Sequence, residues 1–218
     1  GATGESFKKG DDYPALKAAA SRAYFEWMPV RVRPEARAQH LYRTLQYGPL
    51  MGIIIPDLRS YRDAQLIQSG DHLLDSDPDF IRAAGREGRT MMGRSQFEWF
   101  SNAVKSSTAK WQVVANEVMF APMTLPATLD PKLHDWLVEK IGLPEQGIPL
   151  NPDQWDGYMV ERQKIIDTIA GLPDKNVVFL TGDIHSSWAN DIPRDVFGYR
   201  TGQNTKAVAT EFVTPSVT

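Results

Sequence analysis

The chain has 218 residues, of which 42% are hydrophobic and 23% are charged, and its formal net charge is −3. This composition is typical of a folded globular protein, and the length allows one large domain with a sizeable core. The weakly acidic balance gives no basic footprint for nucleic acid, and the group Arg31, Arg33 and Arg37 is interpreted as a solvated surface. No apolar run approaches the ~20 residues of a membrane span. The absence of cysteine excludes disulfides and thiolate metal ligands within this chain.

Both ends of the sequence suggest a piece of a longer polypeptide. The chain starts at Gly1 without an initiator methionine or a signal-peptide pattern, and residues 213–218 end it in strand-like sequence. We therefore expect an internal part of a larger protein, which bears on every statement about activity.

The first half of the chain predicts a helix, a pair of strands and a long polar excursion. Residues 13–27 are strong helix formers with a proline in the first turn. Residues 40–47 and 50–55 predict two strands joined by a Gly-Pro turn. Residues 63–90 are rich in Asp and Gly and predict a surface excursion of a length that is usually functional or mobile.

The second half alternates helices with buried strands. The predicted helices cover residues 91–104, 130–141 and 151–171, and the predicted strands cover residues 111–120, 176–181 and 207–213. Residues 193–206 are predicted to form a variable loop. This order indicates the α/β class, with helices packed on a layered sheet.

The strongest candidate for a functional site follows the strand at residues 176–181, whose continuous apolar run predicts burial on both faces. The sequence then breaks at Gly182, which we interpret as the residue that lets the backbone turn. Asp183 and His185 follow, so that a carboxylate and an imidazole emerge at the carboxyl end of a strand, where α/β sheets bind ligands. The two groups suit a zinc, iron or manganese ion, although most such pairs elsewhere are plain surface residues.

Asn116 and Glu117 interrupt an otherwise apolar strand. Successive strand residues face opposite sides, so one of the two is expected to point toward a site or a partner, since buried polar groups need compensation. The sequence leaves open the alternative that Glu117 lies on an exposed edge.

Asp57 and Arg59 follow the isoleucine-rich strand and share one face through their two-residue spacing. Arg59 could bind a phosphate through two hydrogen bonds, or it could form an ion pair with Asp57. Of these alternatives we favour the ion pair slightly.

Other polar residues carry weaker arguments. Trp188 is expected to pack on the sheet rather than wall the site, and Asn190 and Asp191 either orient the loop or cap the next turn. The remaining histidines are interpreted as structural or solvated; they are His40, His72 and His134. A Ser-His-Asp triad is not supported, because Ser186 and Ser187 lie too close to His185 in sequence and no nucleophile elbow is present.

The stretch Gly182-Asp183-Ile184-His185-Ser186-Ser187-Trp188 resembles the core motif of the PhoD-like family (alkaline phosphatase D). Further segments agree with that family in the same order along the chain, namely Arg22–Arg31, Asp57–Arg62, Met91–Gly93, Trp111–Pro122, Trp155–Tyr158 and Ala209–Ser216. The resemblance therefore spans nearly the whole chain.

The resemblance implies a fold, an activity and a location. The implied fold is an α/β, metallophosphoesterase-like layered β-sandwich flanked by helices, and residues 1–218 would be the C-terminal-side part of a single catalytic domain. The implied activity is hydrolysis of phosphate mono- and diesters by a metal-bound hydroxide, with iron and calcium as the expected metals. Members are typically exported with a twin-arginine signal, so the whole protein is expected in the periplasm or outside the cell.

The resemblance also assigns roles to individual residues. Asp183 and His185 would be catalytic residues and metal ligands, Asn116 would be a further metal ligand, and Arg59 would contact the substrate phosphate. Leu58 stands where the family usually has threonine, which weakens a strict role for that turn. The family's earlier metal motifs, an Asp-Asp-His-Glu segment with a Cys and a Tyr ligand, do not match any segment of this chain. The expected partners are therefore a phosphate ester substrate and the missing N-terminal part of the same domain.

Two alternatives to hydrolysis remain open at this point. The chain could be a non-catalytic fragment with an incomplete metal site, because two protein ligands fall short of the three that catalytic zinc sites usually have. It could also be a phosphate-binding module without turnover. An incomplete sheet would leave open edges, which predicts a tendency to aggregate.

Overall fold

The computed structural model describes residues 13–30, 41–66 and 78–215 of the chain. The predictions for His40, His72 and the arginine group lie outside these residues, as does part of the polar excursion at residues 63–90. Within the described ranges, no helix is both long enough and apolar enough to cross a membrane.

A six-stranded mixed sheet forms the centre of the structure. The strands are β1 (Arg43–Tyr47), β2 (Met51–Ile55), β3 (Trp111–Asn116), β4 (Thr124–Leu125), β5 (Ile148–Pro149), β6 (Asn176–Thr181), β7 (Trp188–Pro193) and β8 (Ala207–Val213). The order across the main sheet is β1-β2-β3-β6-β8-β7, and β4 pairs with β5 in a separate two-stranded ribbon. The four inner strands of the main sheet are parallel to one another, and the two outer strands are antiparallel to their neighbours. The α/β prediction is confirmed.

Helices α3 and α5 pack on one face of this sheet. The helices of the described residues are α1 (Tyr13–Trp27), α2 (Pro78–Ala84), α3 (Arg94–Ser106), α4 (Pro131–Trp136), α5 (Met159–Ala170) and α6 (Val196–Arg200). The apolar stripe of α3, with Phe100 and Val104 fully buried, and that of α5, with Ile165 and Ile166, enclose the main core. Phe179 of β6 stacks on the ring of Phe120 in this core, with the ring centroids 4.2 Å apart.

The other face of the sheet is uncovered within the described residues. Leu180 of β6 lies beside Phe212 of β8 in the strand register, and the two side chains are 48% and 50% exposed. Trp111, Leu45 and Tyr47 extend the same face toward β1, all with at least 40% of their surface exposed. The prediction that β6 is buried on both faces is therefore wrong for this part of the chain. We name this surface the outer face.

Several boundaries differ from the sequence predictions. The helix predicted over residues 130–141 is split into α4 and a wider π-type turn at Leu137–Ile141, and a 3-10 turn at Trp155–Tyr158 precedes α5. Strand β7 was not predicted, because Asn190 and Asp191 give it a polar sequence, and the supposed loop at residues 193–206 contains α6. His134 stacks on Phe197 with ring centroids 3.7 Å apart, in agreement with a structural role.

Candidate functional site at the carboxyl edge of the sheet

The parallel strands bring three polar turns to one edge of the sheet. Asp57 follows β2, Glu117 follows β3, and Asp183 follows β6, and these strands are neighbours in the sheet. The carboxyl ends of neighbouring parallel strands lie side by side, so residues distant in sequence converge there. Asp183 and His185 thus lie just beyond the carboxyl end of β6, the position in the chain that the sequence predicts for them.

The loop at residues 182–187, which we call the ligand loop, has an unusual backbone. The amide of Ile184 donates to the carbonyl of Gly182 at 2.9 Å, which closes a three-residue turn centred on Asp183. Asp183 has φ of 72° and His185 has φ of 59°. Such turns are rare and strained, and each left-handed non-glycine residue costs on the order of 1–3 kcal/mol. The left-handed positions of the turn are thus Asp183 and His185. A Cβ added at Gly182 would meet no atom within 4 Å, so the interpretation that Gly182 is the residue that lets the backbone turn is wrong.

Both candidate ligands face solvent. The side chain of Asp183 is 40% exposed and His185 is also exposed. Ser186 accepts a hydrogen bond from the indole N–H of Trp188 at 2.7 Å and bonds to the carbonyl of Ile184 at 3.4 Å, so it braces the ligand loop. These contacts give Ser186 a structural role and agree with the absence of a catalytic triad.

Arg59 connects the turn after β2 to the ligand loop. Its Nη1 donates to both carboxylate oxygens of Asp153, at 3.0 and 3.1 Å, and its Nη2 lies 3.3 Å from Oδ1 of Asp183. The favoured ion pair with Asp57 is thus replaced by pairs with Asp153 and Asp183. Asp57 instead accepts hydrogen bonds from the backbone amides of Arg59, at 3.2 Å, and Ser60, at 2.9 Å, and so holds the turn together.

Asp153 is a site residue that sequence reasoning missed. Besides the two bonds from Arg59, it accepts a hydrogen bond from Nη1 of Arg62 at 2.7 Å. Partial burial opposes ionisation of Asp153, but the hydrogen bond from Arg62 and the charge of Arg59 outweigh it and hold the pKa of this carboxyl below its ordinary value. Asp153 is therefore ionised near neutral pH and orients both guanidinium groups.

Asn116 and Glu117 point to different places, as their positions in the strand require. Oε2 of Glu117 accepts the backbone amide of Leu58 at 3.0 Å, so this side chain faces the turn after β2 rather than an exposed edge. Burial, followed by the nearby charge of Asp57, raises the pKa of Glu117. Asn116 is buried and donates to the carbonyl of Val118 and, at 3.4 Å, to the hydroxyl of Thr181. Asn116 is thus tied into the interior next to the ligand loop.

The polar groups at this edge include donor types that suit a metal ion. Asp183 and His185 offer an oxygen and a nitrogen from one loop, which is a suitable donor set for iron or zinc. Asp57 is 2% exposed, and one of its carboxylate oxygens has no hydrogen-bond partner among the described residues. A bound cation would satisfy this buried oxygen. No group of three or more His, Asp or Glu residues with metal-binding geometry occurs in residues 13–30, 41–66 and 78–215. The donor atoms are of a type that suits a metal ion, but the described residues provide too few of them for a complete site.

Comparisons with known proteins identify the family of the chain and support its fold. The family model for PhoD-like phosphatases matches residues 1–218. Alkaline phosphatase D from Bacillus subtilis (strain 168) is 32% identical over 97% of this chain, which covers 32% of that relative. A solved structure described as the structure of PhoD superposes with a TM-score of 0.68 at 31% sequence identity. The matched region covers 97% of this chain and 36% of the chain in that structure. The chain thus spans about a third of the length of the proteins it matches. On the match along its whole length, the chain belongs to the PhoD-like phosphatase family.

Proposed function

We propose that the protein containing this chain is a metal-dependent phosphoric ester hydrolase that acts on phosphate mono- and diesters. The observation that carries the proposal is the contact between Arg59 and Asp183, which places a guanidinium next to a candidate metal ligand at the ligand-binding edge of an α/β sheet. Family membership supports the reaction class. The similarity to alkaline phosphatase D covers about a third of that relative, so the activity is proposed for the whole protein.

Arg59 is proposed to bind the substrate phosphate. Its guanidinium is about a third exposed, and its two carboxylate partners hold it at the edge of the sheet. A guanidinium can bind two phosphoryl oxygens at once and attracts the charge that they carry. The weaker contact, at 3.3 Å to Asp183, is the one expected to be exchanged for substrate, while Asp153 keeps the group oriented.

Asp183 and His185 are proposed to hold metal, with Asn116 as a third candidate. Bound metal would polarise the phosphoryl oxygens and lower the pKa of water. Iron and calcium are the metals that the family resemblance suggests. Asn116 would have to give up its bonds to Val118 and Thr181 in order to bind a metal, so it is the weakest of the three assignments.

The remaining ligands are proposed to come from another part of the same protein. Two observations support this: the described residues supply too few metal donors, and the outer face exposes Leu180 and Phe212 side by side, with Trp111 farther along the same face. An apolar surface of this kind is ordinarily covered. In the alternative function, the 218 residues alone are a non-catalytic fragment or a phosphate-binding module, which the same two observations favour for the isolated chain.

The test compares the isolated chain with the whole protein. Each is purified, its metal content is measured by elemental analysis, and hydrolysis of p-nitrophenyl phosphate and of its bis-ester is followed. We expect near-stoichiometric metal and turnover in the whole protein, and neither in the isolated chain. A metal-free, inactive whole protein would refute the proposal. Inactive protein that binds inorganic phosphate in equilibrium dialysis would favour the binding module.

We also propose that the whole protein is exported to the periplasm or beyond, as the family resemblance suggests. Cell fractionation with an antibody against this chain tests the location. Recovery in the cytoplasmic fraction alone would refute it.

A further inference from the structure

Glu211 of β8 is a fully buried carboxylate with four uncharged hydrogen-bond donors around it. Oε1 accepts the backbone amide of Phe120 and the hydroxyl of Thr181, both at 2.7 Å. Oε2 accepts the backbone amide of Ala121 at 2.8 Å and the side-chain amide of Asn190 at 3.4 Å. Glu211 has no exposed surface. A buried charge is tolerated when it is well hydrogen-bonded, and here each oxygen has two donors.

These four donors include residues on both sides of the ligand loop. Thr181 is the last residue before the loop, and Asn190 lies in β7, the strand that follows it. Thr181 is held a second time, because its carbonyl accepts the amide of Thr214 at 3.0 Å. A loop whose backbone is strained at Asp183 and His185 keeps that shape only when its ends are fixed from outside.

We propose that Glu211 is a positioning residue, which fixes both ends of the ligand loop and thereby sets where Asp183 and His185 lie. This inference rests on the proposed function, because it gives the position of these two side chains a catalytic purpose. Glu211 acts through Thr181 and Asn190 and has no part in the chemistry itself. The same contacts assign Asn190 to orienting the loop, one of the two roles that the sequence left open.

A carboxylate suits this position better than the amide of glutamine. Because both oxygens accept from backbone amides, a Gln side chain would turn its NH₂ group toward one of those donors. That donor would then be buried without a partner. Glu211→Gln is therefore expected to loosen the loop, although it changes neither the size nor the shape of the side chain.

The chain contains a matched control for this interaction. Glu161 of α5 is 7% exposed and accepts hydrogen bonds from the hydroxyl of Thr90, at 2.6 Å, and from the consecutive amides of Met91 and Met92. This pattern repeats the one around Glu211, where a threonine hydroxyl and two consecutive amides also donate. Glu161 holds the turn before α3 and makes no contact with the ligand loop in the described contacts. Damage common to any buried carboxylate will therefore show in both sites.

The experiment uses the whole protein with its native metals and compares Thr181→Val with Thr90→Val, and Glu211→Ala with Glu161→Ala. Hydrogen exchange of the amides at residues 182–187 reports the loop, and kcat and KM for p-nitrophenyl phosphate report its effect. We expect Thr181→Val and Glu211→Ala to speed exchange in the loop about tenfold or more, the size expected from one lost hydrogen bond. They should lower kcat by at least about tenfold with little change in KM. Thr181→Ser, which keeps the hydroxyl, should restore both values.

The outcomes separate this inference from the proposed function. Equal exchange in the loop for the Thr181 and Thr90 variants would overturn the role of Glu211, and so would faster exchange with unchanged kcat. Faster exchange in a protein whose wild type does not hydrolyse phosphate esters would support the anchoring of the loop and overturn the proposed function. If Glu211→Ala does not fold, Thr181→Val with its serine rescue decides the question alone.

Discussion

The substitution Asp153→Asn removes the charge that orients both guanidinium groups at the site. The wild-type carboxylate accepts two bonds from Arg59 and one from Arg62, at distances between 2.7 and 3.1 Å. Asparagine offers one oxygen and no charge, so at least one charge-assisted hydrogen bond is lost, which is worth ~1.5–3 kcal/mol when buried. Because Asp153 and Arg59 are about a third exposed, we reduce the expected loss to about 1–2 kcal/mol in the free energy of unfolding at pH 7.

The loss depends on pH with a definite sign. The pKa of Asp153 is lowered in the folded state, so its contribution is fully present above the unfolded pKa of roughly 3.9 and disappears as pH falls through the folded pKa. Urea unfolding of the wild type and of Asp153→Asn between pH 7 and pH 3 should therefore show two curves that converge toward acid. KM for phosphate esters should rise in the variant, because Arg59 is less well oriented.

Asp167→Asn is the matched control for this prediction. Asp167 pairs with Arg194 at 2.8 Å, but both side chains are largely exposed, at 46% and 64%. Exposed ion pairs contribute little, so the control should change the free energy of unfolding by less than about 0.5 kcal/mol. A loss in Asp153→Asn that equals the control, or that persists unchanged at pH 3, would refute the reasoning.

Three further predictions concern the site, the outer face and the core. Asp183→Asn and His185→Ala should each lower kcat/KM for p-nitrophenyl phosphate by more than about 100-fold in the whole protein. The melting temperature measured by circular dichroism should stay within a few degrees of the wild type. Near wild-type activity in both variants would disprove their assignment as metal ligands. Leu180→Asp should destabilise the whole protein by about 2–3 kcal/mol in urea unfolding if the outer face is covered there, and a change below about 0.5 kcal/mol would show that this face stays open. In the wild type, Arg162 contacts the buried carboxylate of Asp156 at 2.6 Å. Arg162→Met removes this counter-charge and should lower the free energy of unfolding by about 3–5 kcal/mol at pH 7. A loss smaller than that for an exposed ion pair would contradict this reasoning.

The placement of the candidate site residues after a strand could be read from the sequence, because it depends on short-range patterns. A continuous apolar run predicted β6, and the polar break after it placed Asp183 and His185 at the end of a strand. Both steps use only neighbouring residues. The parallel register of β2, β3 and β6, which brings Asp57 and Glu117 to the same edge, was added by the structure.

The partners of the site residues could not be read in the same way. Asp153 lies 94 positions from Arg59, and its neighbourhood Asn151-Pro152 gave only the signal of a helix start. Glu211 lies in β8, where the alternation of side chains predicts which face of the sheet a residue is on. It does not predict which hydrogen-bond donors surround that residue. The sequence analysis overestimated the burial of Leu180. A strand whose second face is covered by another part of the protein has the same apolar composition as a strand that is buried on both faces by its own domain. Composition therefore does not distinguish the two cases.

The left-handed backbone of the ligand loop restricts which residues can replace Asp183 and His185. Apart from glycine, the side chains that adopt this conformation most readily are Asn, Asp and His, which are also oxygen and nitrogen donors for metals. Selection for backbone shape and selection for metal binding therefore favour the same few residues at these two positions. A descendant that had lost its catalysis would still be expected to keep Asp, Asn or His there, for conformational reasons alone. The identity of these residues in a related sequence is thus weaker evidence of activity than the presence of Arg59 and Asp153, which the backbone does not require.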